Sequence, residues 1–416
     1  MKLAMPDVNI GGLPFDQAID YFRSKLNLPT EHWDDFLALT RAKAFTVAGA
    51  TKIDLLNDLR AAVDDAIANG ATITEFRARF DEAVQKHGWS YRGKRGWRTR
   101  VIYDNNLRSA HMAGRWQQLQ DTKAARPYLQ YLTVGDARVR PAHRQWDRVV
   151  LPINDDWWDT HLPPNGWGCR CTVRSMSQRE LERSGLVASR PDATRTERIN
   201  AATGEIYGEV PEGIDVGWDH NVGKAWLGPD MAFGEKIMSL PPDMREAVLS
   251  NARDLASHLG QQFAPWIDAV NGRRQAQGEI RTVGYLSPTI VDFLEQAGHA
   301  PATAVVTVTD KDVMHMLRDA KDGRHVPAGI LRLLPDKIAS PKAVLWDTRN
   351  PAVLFVIDTP NNDTSAKLVV RINFVTKARG RDDKRYVAPT NAVRSGGLVP
   401  LYNLREESYR IIEGEI

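Results

Sequence analysis

Both cysteines of the chain fall within one nine-residue stretch, Pro163 to Cys171 (PPNGWGCRC), with a single residue between them. The proline pair fixes two φ angles and Gly166 and Gly168 allow a tight return, so the stretch reads as a rigid clamp that turns the chain back on itself. The N-terminal MKLAMPDVNIGGLPF has one lysine and lacks the apolar core of a secretory signal, so the chain is expected to fold in a reducing cytoplasm. There a Cys-x-Cys is a poor disulfide and a better metal or buried-thiol pair. His143, Cys169 and Cys171 are the candidate ligands of a structural zinc, with Asp136 and His161 near them in sequence. Buried thiols and a histidine bonded to backbone would account for the same residues without metal.

Around this clamp the chain changes character several times. Its 416 residues exceed one compact core and call for two or three domains. No apolar run approaches the roughly 18 residues of a membrane span, so no membrane contact is expected. The net charge of +3 is too small to imply nucleic acid by itself. The first part is helical: Pro14 to Leu28, Thr30 to Thr40, Asp54 to Asn69 and Thr72 to His87. Thr72 and Glu75 form a capping box, and Gly70 and Gly88 end the two longer helices. From Tyr91 to Arg115 seven Arg/Lys stand against one Asp, among Trp89, Tyr91, Trp97 and Trp116. This pattern suits a phosphate-tracking surface or, more simply, a solvated helix face with its aromatics turned inward. Short β-like runs and many tryptophans follow up to Cys171, and Leu186 to Arg198 reads as a polar loop.

Four motifs in order, VIYDNNLRSAHMAGR, DARVRPAH, DDWWDTHLPPNGWGCRC and VPEGIDVGWDHNVGKA, resemble the phage Mu F-like minor head, or head morphogenesis, proteins over roughly residues 10 to 228. Asn106, Ala110 and Gly114 match the family's helix. Asp136, Arg138, Arg140 and His143 match its Asp-x-Arg-x-Arg-x-x-His, and Trp158, Pro163, Pro164, Gly166, Cys169, Arg170 and Cys171 match its tryptophan, double-proline and Cys-Arg-Cys elements. Where the family has Leu-Asp-Gly after the histidine, this chain has Gln145-Trp146-Asp147-Arg148, without the glycine. The resemblance implies a low-copy protein of capsid assembly near the portal, with portal and major capsid or scaffold proteins as partners. Its implied places are the virion head and, during assembly, the bacterial host cytoplasm.

The expected architecture is therefore multidomain α+β. A mainly helical head-morphogenesis domain with a small β-rich Cys-x-Cys subdomain spans 1–228, a helical connector 229–280, and a small α+β domain with an antiparallel sheet 281–416. In the last part, Ala304 to Thr309, Ala343 to Trp346, Val353 to Ile357 and Lys367 to Val375 read as strands, with helices at Ser287 to Gly298 and Asp310 to Lys321. Leu368, Val370, Ile372 and Phe374 should share one face of the last strand. Its helix-then-sheet layout resembles the barnase, EndoU, colicin E5/D and RelE-like nuclease domains. That resemblance implies metal-independent RNA cleavage with no required cofactor. His315 would be the acid/base, Lys321 and Arg371 the phosphate ligands, and Thr390 an orienting hydroxyl, with phage DNA or host RNA as partner. The alternatives are a nucleic-acid-binding module without catalysis and a docking module of a pure assembly protein.

Overall fold

A computed structural model describes residues 15–35, 37, 39–191, 194–228, 230–318, 324–360, 363–381 and 384–416. The chain divides into two compact units, Met1–Trp226 and Leu227–Ile416.

The first unit begins with α1 (Asp16–Arg23), β1 (Leu26–Asn27), α2 (Leu39–Lys43) and β2 (Ala44–Phe45). Two expected helices are shorter than their apolar patterns. The first stops at Arg23, and Leu26–Asn27 instead pair in parallel with Ala44–Phe45. Over Thr30 to Asp35 the expected helix is replaced by a turn, because the Asp35 carboxylate accepts from Thr30 Oγ1 at 2.6 Å and from the Glu31 and His32 amides at 2.8 Å; Phe36 and Ala38 lie outside the described residues, and Leu39 and Thr40 open α2. Such local bonds offer the backbone an alternative to helix, and here they win. The longer helices follow the sequence closely. In α3 (Ile53–Asn69), Leu55, Leu56, Leu59, Ala62, Val63, Ala66 and Ile67 form the buried stripe. In α4 (Ile73–His87), Thr72 and Glu75 close the capping box, and Gly70 and Gly88 take left-handed φ of 74° and 58°.

The 27-residue α5 (Arg95–Asp121) is about 40 Å long. At its crossing with α1, a Cβ on Gly114 would lie 2.7 Å from the Ala18 nitrogen, so only glycine lets the two backbones approach. Beyond it come β3 (Tyr128–Leu132), α6 (Pro141–Gln145), β4 (Val150–Pro152), α7 (Trp158–His161), β5 (Thr172–Met176) and α8 (Gln178–Ser184). The three strands make an antiparallel sheet in the order β4-β3-β5. The expected polar loop runs into a hairpin of β6 (Arg195–Ile199) and β7 (Ile206–Pro211), and α9 (Val222–Leu227) follows.

The second unit takes in the segment expected to be a connector. Its helices α10 (Met231–Met238), α11 (Pro242–Ala252) and α12 (Ala256–Asn271) bury apolar faces; Phe263, Trp266, Ile267 and Val270 supply that of α12. The remaining elements are β8 (Ile280–Tyr285), α13 (Pro288–Gln296), β9 (Val305–Thr309), α14 (Asp310–Leu317), α15 (Ala328–Arg332), α16 (Leu334–Ala339), β10 (Ala343–Asp347), β11 (Ala352–Asp358), β12 (Thr364–Arg379), β13 (Arg385–Pro400) and β14 (Tyr409–Gly414). The sheet has seven strands in the order β14-β10-β11-β12-β13-β9-β8. All its pairings are antiparallel except β13 with β9, which are parallel. The expected antiparallel sheet is thus present but larger, with one parallel pairing. Strand β13 is not among the expected strands because its segment APTNAVRSGG is polar. Leu368 and Val370 are buried as the alternation requires, but the register shifts between Arg371 and Phe374. Asn373 there has φ 53°. Beyond this bulge Phe374 is exposed, whereas Thr376 and Ala378 farther along the same strand are buried.

Candidate functional site

The clamp stands on three parts of the first unit. Helix α6 presents His143, which is buried and stacked on Trp146 at 5.0 Å. Its Nε2 lies 2.8 Å from the Gly213 carbonyl. A carbonyl only accepts, so Nε2 carries the proton and the Nδ1 lone pair faces the other way. There it meets Cys169 Sγ at 3.7 Å and Cys171 Sγ at 3.6 Å, and the three donor atoms lie within 4.8 Å of one another. With Zn–S and Zn–N bonds of about 2.3 and 2.05 Å, a tetrahedral zinc would set an S···N edge of about 3.6 Å. The bond from Nε2 to a carbonyl is the outer contact that ligating histidines usually make. The donor set fits zinc, with three protein ligands among the described residues.

The two thiols are unlike. The Cys171 hydrogen bond, opposed by burial and assisted by His143, holds Cys169 well below the usual thiol range. Its bond to Cys169 and burial push Cys171 up. Cys169 is the better buried of the two sulfurs.

The other motif residues hold this centre in place. Arg170 makes a bidentate pair with Asp136 at 2.6 and 2.7 Å, which lowers the Asp136 pKa to about 2. Arg140 makes a second such pair with Asp215 at 2.8 and 2.9 Å. Any Cβ on Gly166 would collide with both partners of that second pair, so this glycine admits an ion pair, whereas Gly168, at φ 69°, makes the left-handed turn. Asp215 also accepts from the Trp167 amide at 2.8 Å, and buried Asn165 accepts from Tyr131 Oη at 2.9 Å. Arg138 stays exposed. The missing family glycine is replaced without loss of the turn: Arg148 itself adopts φ 66°, and Asp147 accepts from the Thr133 amide and hydroxyl at 2.7 and 2.9 Å. His161 is buried against Trp157, ring centroids 4.2 Å apart. Burial lowers its pKa to about 4.

Of the four residues expected to cleave RNA, three are described, each with its own surroundings. Thr390 is fully buried and shares its hydroxyl with Thr307 at 2.9 Å and Thr376 at 3.1 Å. Arg371 donates to the Asn350 and Pro351 carbonyls at 3.2 and 2.9 Å. His315 is exposed in the last turn of α14, and Lys321 lies outside the described residues. Arg394, in the same polar segment as Thr390, pairs with Asp312 at 2.8 Å. Sequence reasoning missed Asp215 and Asn165, although both lie within the quoted motifs; their pairing depends on a return of the chain over some fifty residues that no local pattern encodes.

The family described as "Phage Mu protein F like protein" matches residues 57–174, from α3 through both cysteines to β5. The chain is 34% identical over 410 residues to the "Putative capsid assembly protein F" of Escherichia phage Mu, covering 90% of this chain and 89% of that one. It is 28% identical over 372 residues to the "Mu-like prophage FluMu F protein" of Haemophilus influenzae, covering 80% and 90% respectively. No solved structure matches. No helix of the described residues is long and apolar enough to cross a membrane.

Proposed function

The chain belongs to the phage Mu protein F-like family, and from that membership we propose that it acts in phage capsid assembly, as a minor head protein near the portal. The observation that carries the reading is the alignment with a protein named for capsid assembly across nine-tenths of the chain, spanning both units. Portal and major capsid proteins are the partners of this role, and the virion head is its place. The test is quantitative mass spectrometry of gradient-purified heads from the phage or prophage that encodes the chain, with a label on its C-terminus viewed by electron microscopy. A few copies at one vertex are expected. Heads that form normally and contain none would refute the role.

In this reading the clamp is a structural pin closed by zinc on His143, Cys169 and Cys171, with no part in catalysis. The S···N spacing and the Nε2 contact support it. Protein purified without chelators should carry about one zinc per chain, and Cys169→Ser should lower zinc content and melting temperature together. Metal-free protein of equal stability would end this part of the proposal.

The second unit serves as a docking or nucleic-acid-binding module. The burial of Thr390 and the tethering of Arg371 to backbone weigh against a ribonuclease centre. Docking is supported by the β12–β13 hairpin, where Val375 and Val387 are exposed. By register they share a face with Lys377, Arg379 and Arg385, an apolar and basic surface. Total RNA incubated with the chain in EDTA should stay intact; fragments ending in 2′,3′-cyclic phosphates would restore the ribonuclease reading.

A further inference from the structure

The first unit contains a cavity of about 860 Å³ that the capsid-assembly reading does not use. Pro164 and Trp167 of the clamp bound one side of it, and Trp97 and Arg98 of α5 another. Its charge is one-sided. Lys25, Arg41, Arg92 and Arg98 line it against one acid, Glu31, with Asp34 near enough to act on Arg41.

Two of these cations are poorly compensated. Lys25 is 5% exposed, and its ammonium is held by the Arg41 and Ala44 carbonyls at 2.8 and 3.2 Å and the Tyr21 ring at 5.0 Å. No carboxylate pairs with it among the described residues. Burial, then Arg60 and Arg41, lower its pKa to about 7. Arg98 donates to the Ala48 carbonyl and lies over Trp89 and Tyr91, yet its Nε is buried with no hydrogen-bond partner, as is Nδ1 of His220. Positive groups behind low-dielectric walls focus a field into the space between them. Helix α5 adds to it: its first turn carries no acid and Lys94 provides no side-chain cap, so the positive end of a long dipole stands beside the cavity. At the mouth Trp33, Trp97 and Trp167 are 40%, 60% and 37% exposed.

We propose that this cavity binds a nucleotide, free or within a single strand, with its phosphate on Lys25, Arg92 and Arg98 and its base against the indoles of the mouth. A lone phosphate would leave most of the space empty, since sites of roughly 300–1,000 Å³ suit whole small molecules. Guanidinium groups match phosphate oxygens in pairs, and flat indole faces stack on any base. Arg41 already lies over Trp33 and Trp167; a carboxylate-bearing peptide would use the cations but leave the exposed Trp97 without a flat partner.

The test is anisotropy of the full chain with a labelled oligothymidylate of about ten nucleotides at low salt. The competitors are a deoxynucleoside monophosphate, inorganic phosphate and polyglutamate. Competition should be far stronger from the nucleotide than from phosphate or polyglutamate. A mononucleotide that binds as tightly as the strand identifies a free nucleotide as the ligand; a large gain from the strand identifies nucleic acid. Trp97→Ala and Arg92→Glu, both at exposed positions, should each weaken binding about tenfold or more with unchanged melting. Arg92→Glu should also flatten the dependence of log affinity on log salt by about 0.7 for each phosphate that the variant no longer neutralises. The proposal falls if no phosphate probe binds at millimolar concentration. It falls equally if polyglutamate competes as well as the nucleotide, or if both variants bind like wild type. None of these outcomes bears on whether the chain is found in heads.

Discussion

The two units are held together by different means. The second rests on a seven-stranded sheet whose central strands bury Val344, Leu345, Leu354, Phe355, Val356, Leu368 and Val370, so its stability comes mainly from apolar area and fill. The first has a three-stranded sheet too small to do the same, and the segment around it is held by a cysteine–histidine centre, two bidentate ion pairs and stacked indoles. Directional contacts hold only if every member is present, whereas an apolar core tolerates replacement when volume is kept. The contrast assigns each unit its own way of failing.

Phe355→Ala should have the largest effect, about 3–5 kcal/mol as for other buried aromatic truncations. Hydrogen exchange should place the loss in the second unit, with protection of α3 and α5 unchanged; a loss spread evenly would mean that the two units do not fail separately. Acid should act on the first unit. Burial holds His161 at a pKa of about 4 and His220 at about 3, against 6.5 when unfolded. The unfolded chain thus binds these protons first, so the stability tied to the neutral rings is complete above pH 6.5 and declines as pH falls through about 4. His161 accounts for on the order of 2–3 kcal/mol of this. A His161→Asn variant should show a shallower loss between pH 7 and 4.5 than wild type; identical slopes would mean that this histidine does not set the acid response.

Gly114→Ala should cost about 1–3 kcal/mol, since the atoms in the way are α1 backbone and cannot rotate aside. The same change at Gly70, where no atom lies within 4 Å, tests only its left-handed φ. Smallest is Arg148→Gly, which removes a left-handed non-glycine residue and should stabilise the first unit by up to about 1 kcal/mol in a denaturant titration. A destabilised variant would mean that the arginine side chain contributes more than its backbone costs.

These differences also govern what the sequence discloses. Helices α3 and α4 were legible because stripe, cap and stop agree within each segment. The clamp was legible as a residue set, since Cys169, Cys171 and His143 are rare types close together, but its closure onto Gly213 and Asp215 depends on chain return. In the second unit, runs such as Val353 to Ile357 announce strands, yet β13 is polar enough to read as loop and takes its conformation from pairing with β12. One bulge at Asn373 put Phe374 on the opposite face. Thr390 shows the limit for function: a hydroxyl in a polar segment looks available until the sheet buries it.

In the proposed function, head assembly depends on the clamp and not on an RNA-cleaving centre. The most direct measurement is the yield of filled heads, counted by electron microscopy, when a phage lacking this chain is complemented with wild type, the Cys169→Ser/Cys171→Ser double variant or His315→Ala. Wild-type yield is expected from His315→Ala and few or no filled heads from the double variant. Normal heads from the double variant, or their loss with His315→Ala alone, would contradict that dependence.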